Sequence, residues 1–189
     1  MTGAPEFLQR LIGLLDAADM PYMVAGSFAS TYHGVPRTTH DIDIVVEPTS
    51  SSLNKLLTLL PEDQYYVSED AARDALRRRG QFNVIDLETG WKVDLIVRKS
   101  RDFSRKEFAR RGQGQVQGVD VFIASAEDTI LAKLEWARMS ESERQLRDVA
   151  GVLAVAADTL DRSYLDTWVD ELGLRQQWEA ASKLAVLGS

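Results

Sequence analysis

Two acids interrupt an otherwise apolar run at Asp41-Ile42-Asp43-Ile44-Val45-Val46. A strand sends alternate residues to the same face, so Asp41 and Asp43 project together, flanked by Ile42, Ile44, Val45 and Val46. Two like charges about 6 Å apart repel by roughly 3 kcal/mol at an effective dielectric of 20, and a half-buried setting adds desolvation. A bound divalent cation offsets both costs. The pattern fits a sheet with one apolar face and one face able to hold a cation, the alternative being that Asp41 only starts the strand and Asp43 is a surface acid on an edge strand.

A second strand-like run, Trp91-Lys92-Val93-Asp94-Leu95-Ile96-Val97, carries one more acid, with Lys92, Asp94 and Ile96 on one face and Val93, Leu95 and Val97 on the other. If the two strands are neighbours, three carboxylates converge on an oxygen-rich site suited to Mg²⁺ (or Mn²⁺). Such a site matches two-metal phosphoryl-transfer chemistry. Asp86 competes for the role of third acid, but Ile85 and Leu87 make a poorer strand face around it. Upstream, Gly26-Ser27 lies where a strand gives way to a helix, and the free N–H groups and positive dipole end of a helix start suit phosphate. Gly26 also permits a tight turn and Ser27 a helix cap, and both roles are compatible with phosphate binding. Arg37 suits either a triphosphate or an ion pair with Asp41 or Asp43.

The order Gly-Ser, helix, Asp-x-Asp strand, later Asp resembles the nucleotidyltransferase superfamily (DNA polymerase beta-like) over about the first hundred residues. The resemblance implies that Asp41 and Asp43 bind the metals holding the triphosphate, that Asp94 binds the second metal or activates the attacking hydroxyl, and that Gly26 and Ser27 hold phosphates. Downstream, Ser125-Ala126-Glu127-Asp128, Lys133-Leu134-Glu135-Trp136 and Arg147-Asp148-Val149-Ala150-Gly151 resemble the later signature of the abortive-infection (AbiEii-type) toxin nucleotidyltransferases. That likeness implies that Lys133 neutralises triphosphate charge and that Asp148 orients the triphosphate or completes the site. On the residues alone, Lys133 among Leu131, Leu134 and Trp136 also suits a lysine snorkelling from a helix, and Asp148 a helix-surface charge.

Helical spacing is predicted over Pro5 to Asp19, Ser27 to His33, Ser50 to Leu60, Glu69 to Arg79 and Phe103 to Arg111, with strands at Tyr22 to Ala25 and Val119 to Ala124. Gln81 to Glu88, Thr89-Gly90 and Trp91 to Val97 read as a hairpin. From Ser125 onward the pattern is helical throughout, with Ser125 and Asp128 spaced as a capping box. The expectation is an α+β fold, a nucleotidyltransferase-like mixed β-sheet flanked by helices with an all-helical C-terminal part: a catalytic core over 1–124 and a helical extension over 125–189, packed as one unit.

The 189 residues include no cysteine, which removes disulfides and thiolate zinc sites, and His33 and His40 are the only imidazoles. No run is long enough to span a membrane and no leader pattern opens the chain, so the cytoplasm is the expected compartment. The formal net charge is −7, yet the segment from Arg73 to Arg111 holds 12 basic and 6 acidic residues. Arg105, Lys106, Arg110 and Arg111 are its candidate contacts to a polyanionic acceptor, the alternative being a solvated helix face.

Together these features lead to a Mg²⁺-dependent nucleotidyltransferase moving a nucleoside monophosphate from a nucleoside triphosphate to an acceptor hydroxyl. The resemblance and the basic segment favour RNA, a tRNA 3′ end, and a toxin with a cognate antitoxin protein. Competing expectations are transfer to a small molecule such as an aminoglycoside or to a protein, a catalytically inert nucleotide-binding module, and a metal-dependent glycosyltransferase. The short chain and the Gly-Ser turn disfavour the last.

Overall fold

In chain order the elements are α1 (Ala4–Ala17), β1 (Tyr22–Val24), α2 (Gly26–His33), β2 (Asp41–Val46), α3 (Ser50–Leu59), β3 (Tyr65–Val67), α4 (Glu69–Arg78), β4 (Gln81–Asp86), β5 (Lys92–Val97), α5 (Asp102–Ala109), β6 (Gly112–Val116), β7 (Val119–Ile123), α6 (Ala126–Ser140), α7 (Glu143–Ala156), α8 (Arg162–Glu171) and α9 (Arg175–Leu187). The structure is a computed structural model that describes residues 3–39 and 41–187, so His40 lies outside the described residues. The chain divides into two compact units, one of residues 1–25 and 39–123, the other of residues 26–38 and 124–189. The segment that carries α2, read in the sequence as part of the core, groups with the C-terminal helices.

The first unit is built on a seven-stranded mixed sheet of order β3-β4-β5-β2-β1-β7-β6. β2 runs parallel to β5 and β1 parallel to β7, while the remaining neighbours are antiparallel. Ile42, Ile44 and Val46 of β2, Val93, Leu95 and Val97 of β5, and Phe82 and Val84 of β4 are all at most 2% exposed. They form the apolar face that strict alternation predicts. α1 buries Phe7, Leu8, Leu11, Ile12 and Leu15, a stripe at helical spacing. Each such side chain contributes about 1.5–3 kcal/mol on full burial.

Asp86 ends β4 on the buried side, where it accepts from Arg10 at 2.9 Å and from the Thr89 hydroxyl at 2.7 Å. A carboxylate 1% exposed needs such partners, and these tie α1 to the β4–β5 turn. The β6–β7 hairpin turns through Gln117 and Gly118, with φ of 50° and 83°. Two consecutive positive φ values mark the turn whose twist matches a two-residue hairpin.

The second unit is helical. α6 starts at Ser125, whose hydroxyl oxygen accepts from the Asp128 N–H at 3.1 Å, the capping half of the expected box. The Ser125 hydroxyl lies 2.7 Å from the Asp128 carboxylate, which also accepts from Tyr164 of α8 at 2.6 Å. Gly34, just past α2, meets α7 with no room to spare: a Cβ there would lie 2.7 Å from the Val152 nitrogen and 2.8 Å from the Gly151 carbonyl carbon. Because those atoms are backbone, they cannot rotate away. Gly34→Ala is therefore expected to destabilise the protein by about 1–3 kcal/mol, the usual cost of overpacking, read as a lower urea midpoint at unchanged slope. An unchanged midpoint would show that α2 and α7 tolerate separation.

Candidate active site

β2 and β5 pair in parallel with Asp41 opposite Lys92, Asp43 opposite Asp94 and Val45 opposite Ile96. Residues opposite one another in neighbouring strands share a face at a spacing of about 4.8 Å. Asp41, Asp43 and Asp94 therefore lie on the sheet face opposite the apolar one, as the alternation of the two sequence runs implied. Burial falls off along the row: the Asp94 side chain is 14% exposed and that of Asp41 63%. Asp86 lies on the other face, with Arg10 and Thr89, and so drops out as a competitor for the third acid.

Lys92 belongs to this face as well. Its ammonium donates to Asp94 Oδ2 at 3.2 Å and stands 3.6 Å from Asp41 Oδ1. The hydrogen bond to Asp94, reinforced by the charges of both acids and opposed by burial, raises the lysine pKa above its ordinary value. Asp94 Oδ1, the other oxygen, is buried with no hydrogen-bond partner among the described residues. Among the described residues no three acidic or histidine side chains are grouped closely enough to hold an ion as they are placed. The donor set nonetheless fits a hard divalent cation, since the acids of the row supply carboxylate oxygens and Asp94 Oδ1 has no other partner among the described residues. The sequence put Lys92 on the face of Asp94 without a role; its contacts required the β2–β5 register. Asn83 also sits beside Asp94, opposite it on β4.

Within the helical unit, four further residues singled out in the sequence converge. Arg37 donates to Asp148 in a two-pronged arrangement, Nε to Oδ1 at 2.8 Å and Nη2 to Oδ2 at 3.1 Å, and its Nη2 also bonds the Ser27 hydroxyl. Lys133 donates to Asp148 Oδ2 at 2.7 Å. The Lys133 and Asp148 side chains are each only 6% exposed, which removes the solvated-surface reading for both. The carboxylate partner of Arg37 is Asp148, so of its two expected roles the ion pair with Asp41 or Asp43 is not the one formed. Burial by itself would raise the Asp148 pKa, but hydrogen bonds from Arg37 and then Lys133 outweigh it and hold the carboxyl below its ordinary value. Arg37 and Lys133 thus bring two cations to one carboxylate, with Ser27 in the first turn of α2. Gly26 adopts φ 59° there, a conformation that favours glycine.

The candidate acceptor residues differ among themselves. Arg105 is paired with Asp102 and with the Ser100 carbonyl, and Lys106 is exposed on α5. Arg111 donates to the Phe108 carbonyl at 2.6 Å and stacks over the Phe108 and Phe122 rings at 4.2 and 5.3 Å. Arg110 is half-buried. Elsewhere in the basic segment, Arg77 and Arg78 pair with Asp74, and Arg98 with Glu47. His33 places Nε2 2.7 Å from the Ala124 carbonyl, a structural contact.

No protein-family model and no curated protein matches the chain. Solved structures do match. ANT(2'')-Ia, in complex with adenylyl-2''-tobramycin, aligns over 92% of this chain and 97% of its own at 14% identity, with a TM-score of 0.56. The fold is that of a nucleotidyltransferase. The lincosamide antibiotic adenylyltransferase LnuA, lincomycin-bound, aligns over 81% of this chain and 98% of its own at 11% identity and a TM-score of 0.55. A nucleotidyltransferase-like antigenic protein from Paracoccidioides brasiliensis covers 94% of this chain and 91% of its own at 15% identity, with a TM-score of 0.55. Among the described residues no helix is long and apolar enough to cross a membrane.

Proposed function

We propose that the chain is a divalent-metal-dependent nucleotidyltransferase that moves a nucleoside monophosphate from a nucleoside triphosphate to an acceptor hydroxyl, releasing pyrophosphate. The observation that carries this reading is the register of β2 on β5, which sets Asp43 beside Asp94 and Asp41 on the same face, with one Asp94 oxygen buried and unpartnered among the described residues. In this reading Asp41 and Asp43 hold Mg²⁺ or Mn²⁺ and Asp94 completes the site. Bound there, the cation would supply Lewis-acid stabilisation of the attacking and leaving oxygens. Asp94 orients the incoming hydroxyl and accepts its proton as the oxygen attacks the α-phosphorus. Lys133, Arg37, Ser27 and the start of α2 form an anion-binding group, with Asp148 fixing both cations in place.

For the acceptor we propose RNA, with a tRNA 3′ end and a toxin role paired with an antitoxin as the specific form. Support comes from the basic segment around α5 and from the downstream resemblance. A second reading, a small cationic acceptor such as an aminoglycoside, is favoured by the ion pairs that partly neutralise that segment and by the exposed acid Asp41. Incubation with Mg²⁺, labelled triphosphates and either total RNA or a panel of aminoglycosides separates the two. RNA labelling should fall steeply with salt, and Arg105→Glu with Lys106→Glu should weaken it without changing triphosphate affinity. Label on aminoglycosides alone would overturn the RNA acceptor and leave nucleotidyl transfer standing.

A further inference from the structure

We infer that Lys92 is a built-in counter-cation that keeps a bare divalent ion off the carboxylate row and gives up that place when a triphosphate arrives with the ion. The inference rests on the metal-dependent reading proposed above. Opposite Asp41 in the strand register and two residues from Asp94, Lys92 has acids as its neighbours both across and along the face. Its ammonium takes one oxygen from each, at 3.2 Å from Asp94 Oδ2 and 3.6 Å from Asp41 Oδ1. In place of a free row of carboxylates, a metal ion meets a row already partly neutralised.

A divalent cation and an ammonium cannot both sit against the same two carboxylates without strong mutual repulsion. The ion must displace Lys92 or bind weakly. Lys92 can move, because its side chain is 36% exposed and the ammonium rides on a flexible four-carbon stem. A triphosphate offers the three ammonium donors an alternative set of anionic acceptors. Metal and triphosphate should therefore bind with positive coupling, each raising the affinity for the other by the same factor. The triphosphate also chelates the ion directly, so part of this coupling exists without Lys92; a lysine that only satisfied Asp94 structurally would add nothing to it.

The test is Mn²⁺ binding to the full chain, followed by electron paramagnetic resonance of the free ion, with and without a non-hydrolysable triphosphate. Lys92→Met is expected to bind bare Mn²⁺ on the order of tenfold more tightly than the wild type, because a like charge has been removed. The gain in Mn²⁺ affinity on adding triphosphate should shrink by a similar factor. Lys92→Gln, which keeps a hydrogen-bond donor for Asp94 without the charge, should behave in the same way and serves if Lys92→Met does not fold. Lys92→Arg should bind as the wild type does. Bare Mn²⁺ binding no tighter in the uncharged variants than in the wild type would overturn the inference while leaving the metal site intact. Failure of every form to bind Mn²⁺, even with triphosphate, would overturn the metal reading and the inference with it.

Discussion

Asp43→Asn is expected to lower nucleotide transfer by on the order of 10³-fold or more while the protein stays folded, since the charge stabilisation a catalytic metal supplies is worth several kcal/mol. Asp43 lies directly beside Asp94 in the strand register, so its loss removes a central oxygen donor from the row. The amide is nearly isosteric, and it takes one charge out of a crowded set of acids. Steady-state transfer at saturating triphosphate, alongside the far-UV spectrum and thermal midpoint, checks both halves of this expectation. Activity within tenfold of wild type would remove Asp43 from the metal site. If Asp94 acts on the acceptor side, as proposed, Asp94→Asn should lower turnover with little change in triphosphate affinity.

The second large effect is on stability. Asp148 accepts from both Arg37 and Lys133, and with Lys133 it is almost fully buried. Asp148→Ala leaves a buried ammonium and a part-buried guanidinium without that carboxylate, a change that typically costs about 3–5 kcal/mol. Against a total stability of about 5–15 kcal/mol this is a large fraction. Urea unfolding should show a marked fall in midpoint, and a loss below about 1 kcal/mol would refute the structural role. The effect also carries a pH signature. With the folded Asp148 pKa held below its unfolded value, its contribution is fully present above the unfolded pKa and is lost as pH falls through the folded one. The difference in stability between wild type and Asp148→Ala should accordingly narrow in acid.

The strands and helices that sequence patterning named have nearly the bounds it set, because each carries its own periodicity. The α1 stripe of Phe7, Leu8, Leu11, Ile12 and Leu15 and the alternation in Asp41–Val46 and Lys92–Val97 are local facts, visible in any window of ten residues. Two strands escaped that reading, β3 (Tyr65–Val67) and β6 (Gly112–Val116), and they are the two edges of the sheet. β3 is three residues long, and β6 alternates glycine with glutamine, so neither has a buried face strong enough to announce itself. Gln117-Gly118 was a usable signal for the second, since a two-residue turn before Val119–Ile123 implies a partner strand behind it.

The site divides along the same physical line. Which acids could serve was legible, because a carboxylate in an apolar strand is anomalous wherever it stands. That Asp43 meets Asp94, that Asp86 turns to the opposite face, and that Lys92 bridges two of the acids depend on strand order and register. Those were decided by pairing between segments about fifty residues apart. The helical cluster is a stronger case: Arg37 reaches Asp148 across 111 positions of sequence, next to a glycine contact close enough to bring α2 against α7. Residue chemistry is a local property and periodicity a short-range one, so a single chain displays both. Which buried charge finds which partner is settled only when burial makes an unpaired charge too costly to leave.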